Sequence, residues 1–242
     1  MINSMNSPDT PTFSTNDRRM AWVALLLLVP IPSLGTMAGM VWWPENGVGQ
    51  IIFGISKVWI VLLPLMWRKF VEKHPMSLSP AKNGGWASAL MTGTAIAILI
   101  WGAFLGVRHL GWVDEDMVRE SAQRTGLANR GVFIGAALYW ITINSLLEEY
   151  VWRWFVFRQF EKLMGGKLAI VASAFGFTLH HIFAVGAQFD WRVTLLASTG
   201  CFVGGLIWSW LYLKHRSVWP CWLSHAVVDV PIFVAGWVII FG

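Results

Sequence analysis

About seven stretches of this chain run for roughly twenty residues with little or no charge, and roughly 20 apolar residues are what a helix needs to cross a hydrocarbon core about 30 Å thick. No water reaches the backbone in that core, so a crossing segment must pair its own N–H and C=O groups, which a helix does within itself. The stretches cover residues 20–43, 50–67, 86–107, 131–153 or beyond, 168–185, 193–213 and 218–241. The expected fold is therefore all-α, a polytopic transmembrane helical bundle of about 7 spans with the lipid bilayer as its solvent. A charged fraction of only 13% beside 56% hydrophobic residues excludes an ordinary soluble domain. Pro30 and Pro32 predict a kink or break in the first span, and Lys57 makes the second a candidate for a re-entrant or tilted segment.

Outside the spans the chain is spare. Residues 1–19, rich in Ser, Thr, Asn, Asp and Pro, read as a disordered cytoplasmic tail. The apolar run after Arg18 and Arg19 is too long for the apolar part of a secretory signal, so it reads as a retained span. Residues 20–130 hold the first three spans and a surface segment, and residues 131–242 the last four, within one membrane domain without internal repeats. The segment from Val113 to Leu127 predicts a short surface helix with Asp114 as its N-cap.

Charge orients the bundle. Arg18, Arg19, Arg68, Lys69, Lys73, Lys82, Arg158, Lys162, Lys167, Lys214 and Arg216 share one side of a seven-span chain, against Arg108, Arg119, Arg124, Arg130 and Arg192 on the other. The positive-inside rule then places the N-terminus in the cytoplasm. The net charge of +5 belongs to loops facing an anionic leaflet, and without a basic stripe carrying interleaved aromatics it indicates no nucleic acid. The compact length points to a prokaryotic inner or plasma membrane. Cys201 and Cys221 lie in spans without CxxC spacing and read as buried free thiols.

The ionisable residues left inside the spans are Lys57, Glu148, Glu149, Arg153, His180, His181, His225 and Asp229. Such groups are costly in lipid and mark function by default. Glu149 and Arg153 are four apart and share a helical face, where they can pair. Glu148 points about 100° away and is left unpaired, as a general base requires. The alternative is that both glutamates sit at the end of the helix, in an aromatic belt with Trp152 and Trp154. In FGFTLHHIF, residues 175–183, Phe177 and His181 share a face, and at most one of His180 and His181 faces a common cleft. His225 and Asp229 are again four apart. Each group alone could be a structural hydrogen-bonding pair; one cleft shared by all three satisfies them together at lower cost.

Taken in order, Glu-Glu-x-x-x-Arg, Phe-x-x-x-His and His-x-x-x-Asp resemble the CPBP family of intramembrane proteases, which includes the type II CAAX prenyl endopeptidases and the Abi-like bacteriocin-processing proteins. The similarity spans residues 131–230. It implies an all-helical peptidase with a cavity open to the cytoplasm, in which Glu148 activates a water assisted by His181. His225 and Asp229 match positions that stabilise the oxyanion, while Glu149, Arg153 and Phe177 are structural or orienting. The family commonly has Asn where this chain has Asp229; an ionised carboxylate cannot donate to an oxyanion, so Asp229 must be protonated or must orient His225.

Hydrolysis by a glutamate-activated water needs no cofactor and no metal. Zinc is the alternative, with Glu148, His181, His225 and Asp229 as ligands, although the HExxH spacing is absent. A Cys221–His225 nucleophile, a proton-coupled transporter and a non-catalytic scaffold are further alternatives. The expected partner is a membrane-delivered peptide or protein substrate.

Overall fold

The computed structural model describes residues 13–77 and 79–242. Among these residues there is no strand, and seven helices are long and apolar enough to cross a membrane: α1 Thr15–Trp42, α2 Gly47–Val71, α3 Trp86–His109, α5 Arg130–Met164, α6 Gly166–Gly186, α7 Trp191–His215 and α8 Val218–Phe241. The surface helix α4, Glu115–Arg124, lies between α3 and α5. Asp114 caps it as expected, its Oδ1 accepting from the Met117 N–H at 3.0 Å.

The first helix starts earlier than its apolar pattern. Ser14 Oγ accepts from the Asp17 N–H and the Asp17 carboxylate accepts from the Ser14 N–H, both at 3.1 Å. This capping box satisfies donors that would otherwise be orphaned, and it draws Thr15 to Arg19 of the expected tail into α1. Residues 1–12 lie outside the described residues. Pro30 and Pro32 remove backbone donors without ending the span, because Val29 keeps helical dihedrals and its N–H still reaches Leu25 O at 2.9 Å. The second span is likewise continuous despite Lys57.

The bundle is ordered by pairs of helices. α6 packs along α7 and α3 along α8, while α8 also meets the middle of α5. The first half of α1 lies against the end of α5, and its second half against α2 and α6. Without a hydrophobic drive between helices in lipid, close approach depends on small residues. A Cβ on Gly93 would lie 2.9 Å from the Ser224 carbonyl oxygen, and one on Gly205 would lie 3.1 Å from Ala174 Cα. Leu26, Ile55, Ile98, Leu99, Leu168 and Leu195 are exposed, as a lipid-facing surface requires.

Polar contacts gather at the two ends, in the two sets expected from charge. At one end Arg216 forms a two-pronged pair with Glu161 at 2.7 and 2.8 Å, and Arg18 donates to Leu163 O at 3.1 Å. There Glu72 accepts from Lys162 at 2.6 Å and from Gln159 at 3.0 Å, tying α2 to α5. Burial raises the Glu72 carboxyl, but hydrogen bonds from Gln159, Lys162 and Arg68 and the Lys162 charge outweigh this and hold it at about 2, so it stays ionised at any ordinary pH. The same end contains a one-residue link between α5 and α6, Gly165, whose φ of 78° favours glycine. At the opposite end Arg108 pairs with Glu115 at 2.6 Å and Arg119 donates to Ile239 O at 2.9 Å, clamping α4 against α3 and α8.

The Gly93 contact yields a direct test. Gly93→Val should destabilise the protein by about 1–3 kcal/mol through overpacking against α8. Gly102→Val, in the same helix but with open space around its Cβ, should change stability by no more than about 0.5 kcal/mol. Thermal unfolding of both variants in detergent checks this, and equal effects would remove the Gly93 contact as a determinant of packing.

Candidate active site

The two glutamates sit in an unusual stretch of α5. The backbone winds into wider π-turns at Tyr139–Asn144 and again at Tyr150–Phe157, on either side of the single α-helical turn Ser145–Glu149. Wider turns of this kind recur at functional sites because they re-aim the side chains they carry. Trp152 and Trp154 are only 1% and 4% exposed. They are core residues, not an aromatic belt, so the glutamates are not at a frayed helix end.

Glu149 and Arg153 form the expected pair, Nε to Oε2 at 3.2 Å, with both side chains fully buried. The guanidinium also lies over the rings of Phe177 at 4.9 Å and Trp208 at 5.4 Å. These π faces stand in for acceptors, since its nitrogens have no hydrogen-bond partner among the described residues. Glu149 has a second task that helical spacing did not reveal. Its Oε1 accepts from His225 Nδ1 at 2.8 Å. A carboxylate held by arginine cannot donate, so His225 carries a proton on Nδ1 and turns Nε2 toward the other acids. Trp208 stacks on the His225 ring, with centroids 3.9 Å apart and planes 16° apart, and fixes its plane.

His225 Nε2 lies 3.8 Å from Glu148 Oε2 and 3.7 Å from Asp229 Oδ1. Neither distance is a direct hydrogen bond, so the nitrogen faces two carboxylates with its bonding capacity still available. Glu148 is positioned by Asn144, whose Nδ2 donates to Oε1 at 3.0 Å. One imidazole thus bridges two glutamates that diverge on their own helix: Glu149 on one ring nitrogen and Glu148 near the other.

On α6, His181 Nδ1 meets Phe177 O at 2.9 Å. A carbonyl can only accept, so His181 is protonated on Nδ1 and offers a lone pair at Nε2. His180 departs from the expectation that at most one of the two histidines faces the cleft. Its ring stacks on Trp152 with centroids 5.6 Å apart and lines the same cavity as Glu148. One donor atom from each of Glu148, His180 and His181 lies within 4.8 Å of the others. Adjacent residues on a helix point about 100° apart, yet two flat rings held by Trp152 and Phe177 both reach the carboxylate. This carboxylate and imidazole set fits a zinc ion. It differs from the set read from sequence: His180 joins it, while His225 and Asp229 are not among the donor atoms that lie within 4.8 Å of one another.

The cavity has a volume of about 440 Å³ and lies between α2, α5 and α6, with Glu148, Asn144, His180 and Lys57 among mostly apolar walls. Cys221 takes no part: its thiol donates to Trp208 O at 3.3 Å. Ser224 Oγ accepts from Trp208 Nε1 at 3.2 Å and meets Thr92 Oγ1 at 3.1 Å, which makes it a packing hydroxyl.

Comparison with known families bears on the stretch that carries these residues. Residues 129–231 match the family described as type II CAAX prenyl endopeptidase, Rce1-like. Over these residues the chain is similar to the CAAX-type intramembrane proteases of that family. The match covers α5 to α8 up to Pro231, nearly the stretch over which the three motifs suggested it, and supports a peptidase embedded in the membrane. No curated protein and no solved structure matches the chain. Asn144 was legible four residues before Glu148 but went unread; Trp208, on a helix with no motif, carried no local signal.

The buried ion pair can be tested apart from catalysis. Arg153→Met should destabilise the protein by about 3–5 kcal/mol, because it leaves the Glu149 charge without its main partner. Combining it with Glu149→Gln should recover part of that loss. A double-mutant cycle by unfolding in detergent measures the coupling, and strictly additive effects would show that the two charges do not depend on each other.

Proposed function

We propose that the protein hydrolyses a peptide bond of a membrane-delivered peptide or protein by means of a water activated by Glu148. The observation that carries this reading is the position of the Glu148 carboxylate, which faces a 440 Å³ cavity with His180 and His181 donors within 4.8 Å and His225 Nε2 at 3.8 Å.

In the first step the water gives a proton to Glu148 while its oxygen bonds to the scissile carbonyl carbon. His181 Nε2, the lone-pair side of a ring held by Phe177 O, holds the same water in line. The carbonyl oxygen becomes an oxyanion and is met by His225, which in its imidazolium form donates from Nε2 while Nδ1 stays on Glu149. Asp229 supports that imidazolium as a nearby negative charge, a positioning role. Ring orientation already belongs to Glu149. In the second step Glu148 returns the proton to the amide nitrogen, the C–N bond breaks, and an acid and an amine leave.

A zinc ion held by Glu148, His180 and His181 would supply a more acidic bound water. The metal-free reading is preferred because a carboxylate beside an oriented imidazole suffices for these proton transfers. The basic end of the bundle, with Arg68, Lys82, Lys162 and Arg216, is proposed to face the cytoplasm. Candidate substrates are prenylated CAAX proteins, bacteriocin-like peptides and C-terminal sorting segments.

Glu148→Ala should lower the cleavage rate of a prenylated CAAX peptide by at least about a hundredfold while leaving thermal stability near wild type. In cells the same change should alter the C-termini or leader-processed ends of membrane proteins; identical termini and undiminished cleavage would sink the reading. Phenanthroline should leave the wild-type rate intact, and a loss reversed by zinc would move the assignment to the metal mechanism. A cysteine introduced at Lys82 should react only with a thiol reagent supplied from the cytoplasmic side, and labelling from outside intact cells would reverse the orientation.

A further inference from the structure

Lys57 is the one intramembrane charge that the proposed chemistry leaves without a task. It stands ten residues from the start of α2 and fourteen from its end, Gly47 and Val71, hence roughly 15 Å and 21 Å from the two ends of the span. Lysines near helix ends escape lipid by extending to the interface, but this one is too deep for that. Among the described residues it makes no ion pair or hydrogen bond; its Nζ lies over the Phe53 ring, 5.5 Å from the centroid. The side chain is exposed and lines the Glu148 cavity, near enough for its charge to act on Glu148, His180 and His181. It also lies outside the matched residues 129–231, so the family does not account for it.

A peptide cleaved close to its free end brings its terminal carboxylate into this cavity. That charge meets Glu148, and like charges in a low-dielectric cleft repel strongly. A cation must offset them for such a substrate to bind. The other walls offer none, since they are apolar, aromatic, amide or imidazole. We propose that Lys57 is the substrate's carboxylate anchor: its ammonium pairs with the C-terminal carboxylate of a peptide whose scissile amide lies against Glu148. The site would thereby select substrates cut near a free C-terminus over internal cleavage sites or leader segments. This rests on the peptidase reading above.

The test uses a prenylated CAAX peptide made with a free C-terminal carboxylate and again as its C-terminal amide. Wild-type protein should favour the acid over the amide in kcat/KM by roughly ten- to a hundredfold, chiefly through KM. Lys57→Gln should bring the ratio close to one, and Lys57→Arg should preserve it. If Lys57→Gln slows both peptides equally or shifts the pH profile, the lysine tunes Glu148 and the proposal falls; it falls equally if the wild type does not distinguish the two peptides. Binding of the same peptides to the Glu148→Ala protein, followed by tryptophan fluorescence, needs no turnover. There a preference for the acid that Lys57→Gln abolishes supports the anchor even if hydrolysis fails, and equal affinities overturn it even if hydrolysis is confirmed.

Discussion

A carboxylate with no exposure to solvent, Glu149, sits at the centre of this bundle, and the arrangement around it follows from the cost of keeping it charged there. Arg153 neutralises it from the next turn of α5, and His225 binds its other oxygen from α8. The guanidinium rests on Phe177 of α6 and Trp208 of α7, so one buried charge connects the four helices that make up most of the family match. Misplacing any of these helices would leave a polar group in a low-dielectric interior without a partner. The candidate site residues are therefore held in register by a group that takes no part in the proposed hydrolysis.

The division between structural and working acids follows from this. Glu149 is engaged by Arg153 and His225 and fully buried, out of reach of a substrate. Glu148 has a single close donor, Asn144, retains 14% side-chain exposure, and looks into the cavity. His225 joins the two, with a nitrogen on each side. Its plane is set by Trp208 and its tautomer by Glu149, so the nitrogen turned toward Glu148 is determined before any substrate arrives. Preorganisation of this kind is harder to obtain in a loop than between packed helices, where small residues such as Gly93 and Gly205 let the backbones approach closely.

Much of this was legible from residue spacing. The lengths of the apolar runs revealed the helices, the alternation of charged loops placed the two ends, and the interval of four between Glu149 and Arg153 exposed their pairing. Spacing also separated Glu148 from Glu149 in direction. It failed where contacts cross between helices. The second bond of Glu149 to His225, the reach of both His180 and His181 to one carboxylate, and the stacking of Trp208 on His225 join residues 17 to 76 positions apart. Trp152 and Trp154 were open to reading as interfacial because tryptophan suits both an interface and a core, and composition does not record depth. The early start of α1 was written in the Ser14 and Asp17 capping box, but it was masked by the polar composition around it.

The sequence by itself determined that this chain is a helical membrane protein, because lipid leaves the backbone of a twenty-residue apolar run no other means of pairing its hydrogen-bonding groups. It also indicated which polar residues share a face, because a spacing of four stays close to one face even where α5 widens into π-turns. Only the tertiary structure decided how those faces turn toward one another. Rotation and depth of a helix are set by packing against its neighbours, not by its own period. That choice made Glu149 the anchor of His225, left Glu148 open to a cavity, and brought Lys57, from a helix without a motif, to the wall of the same space.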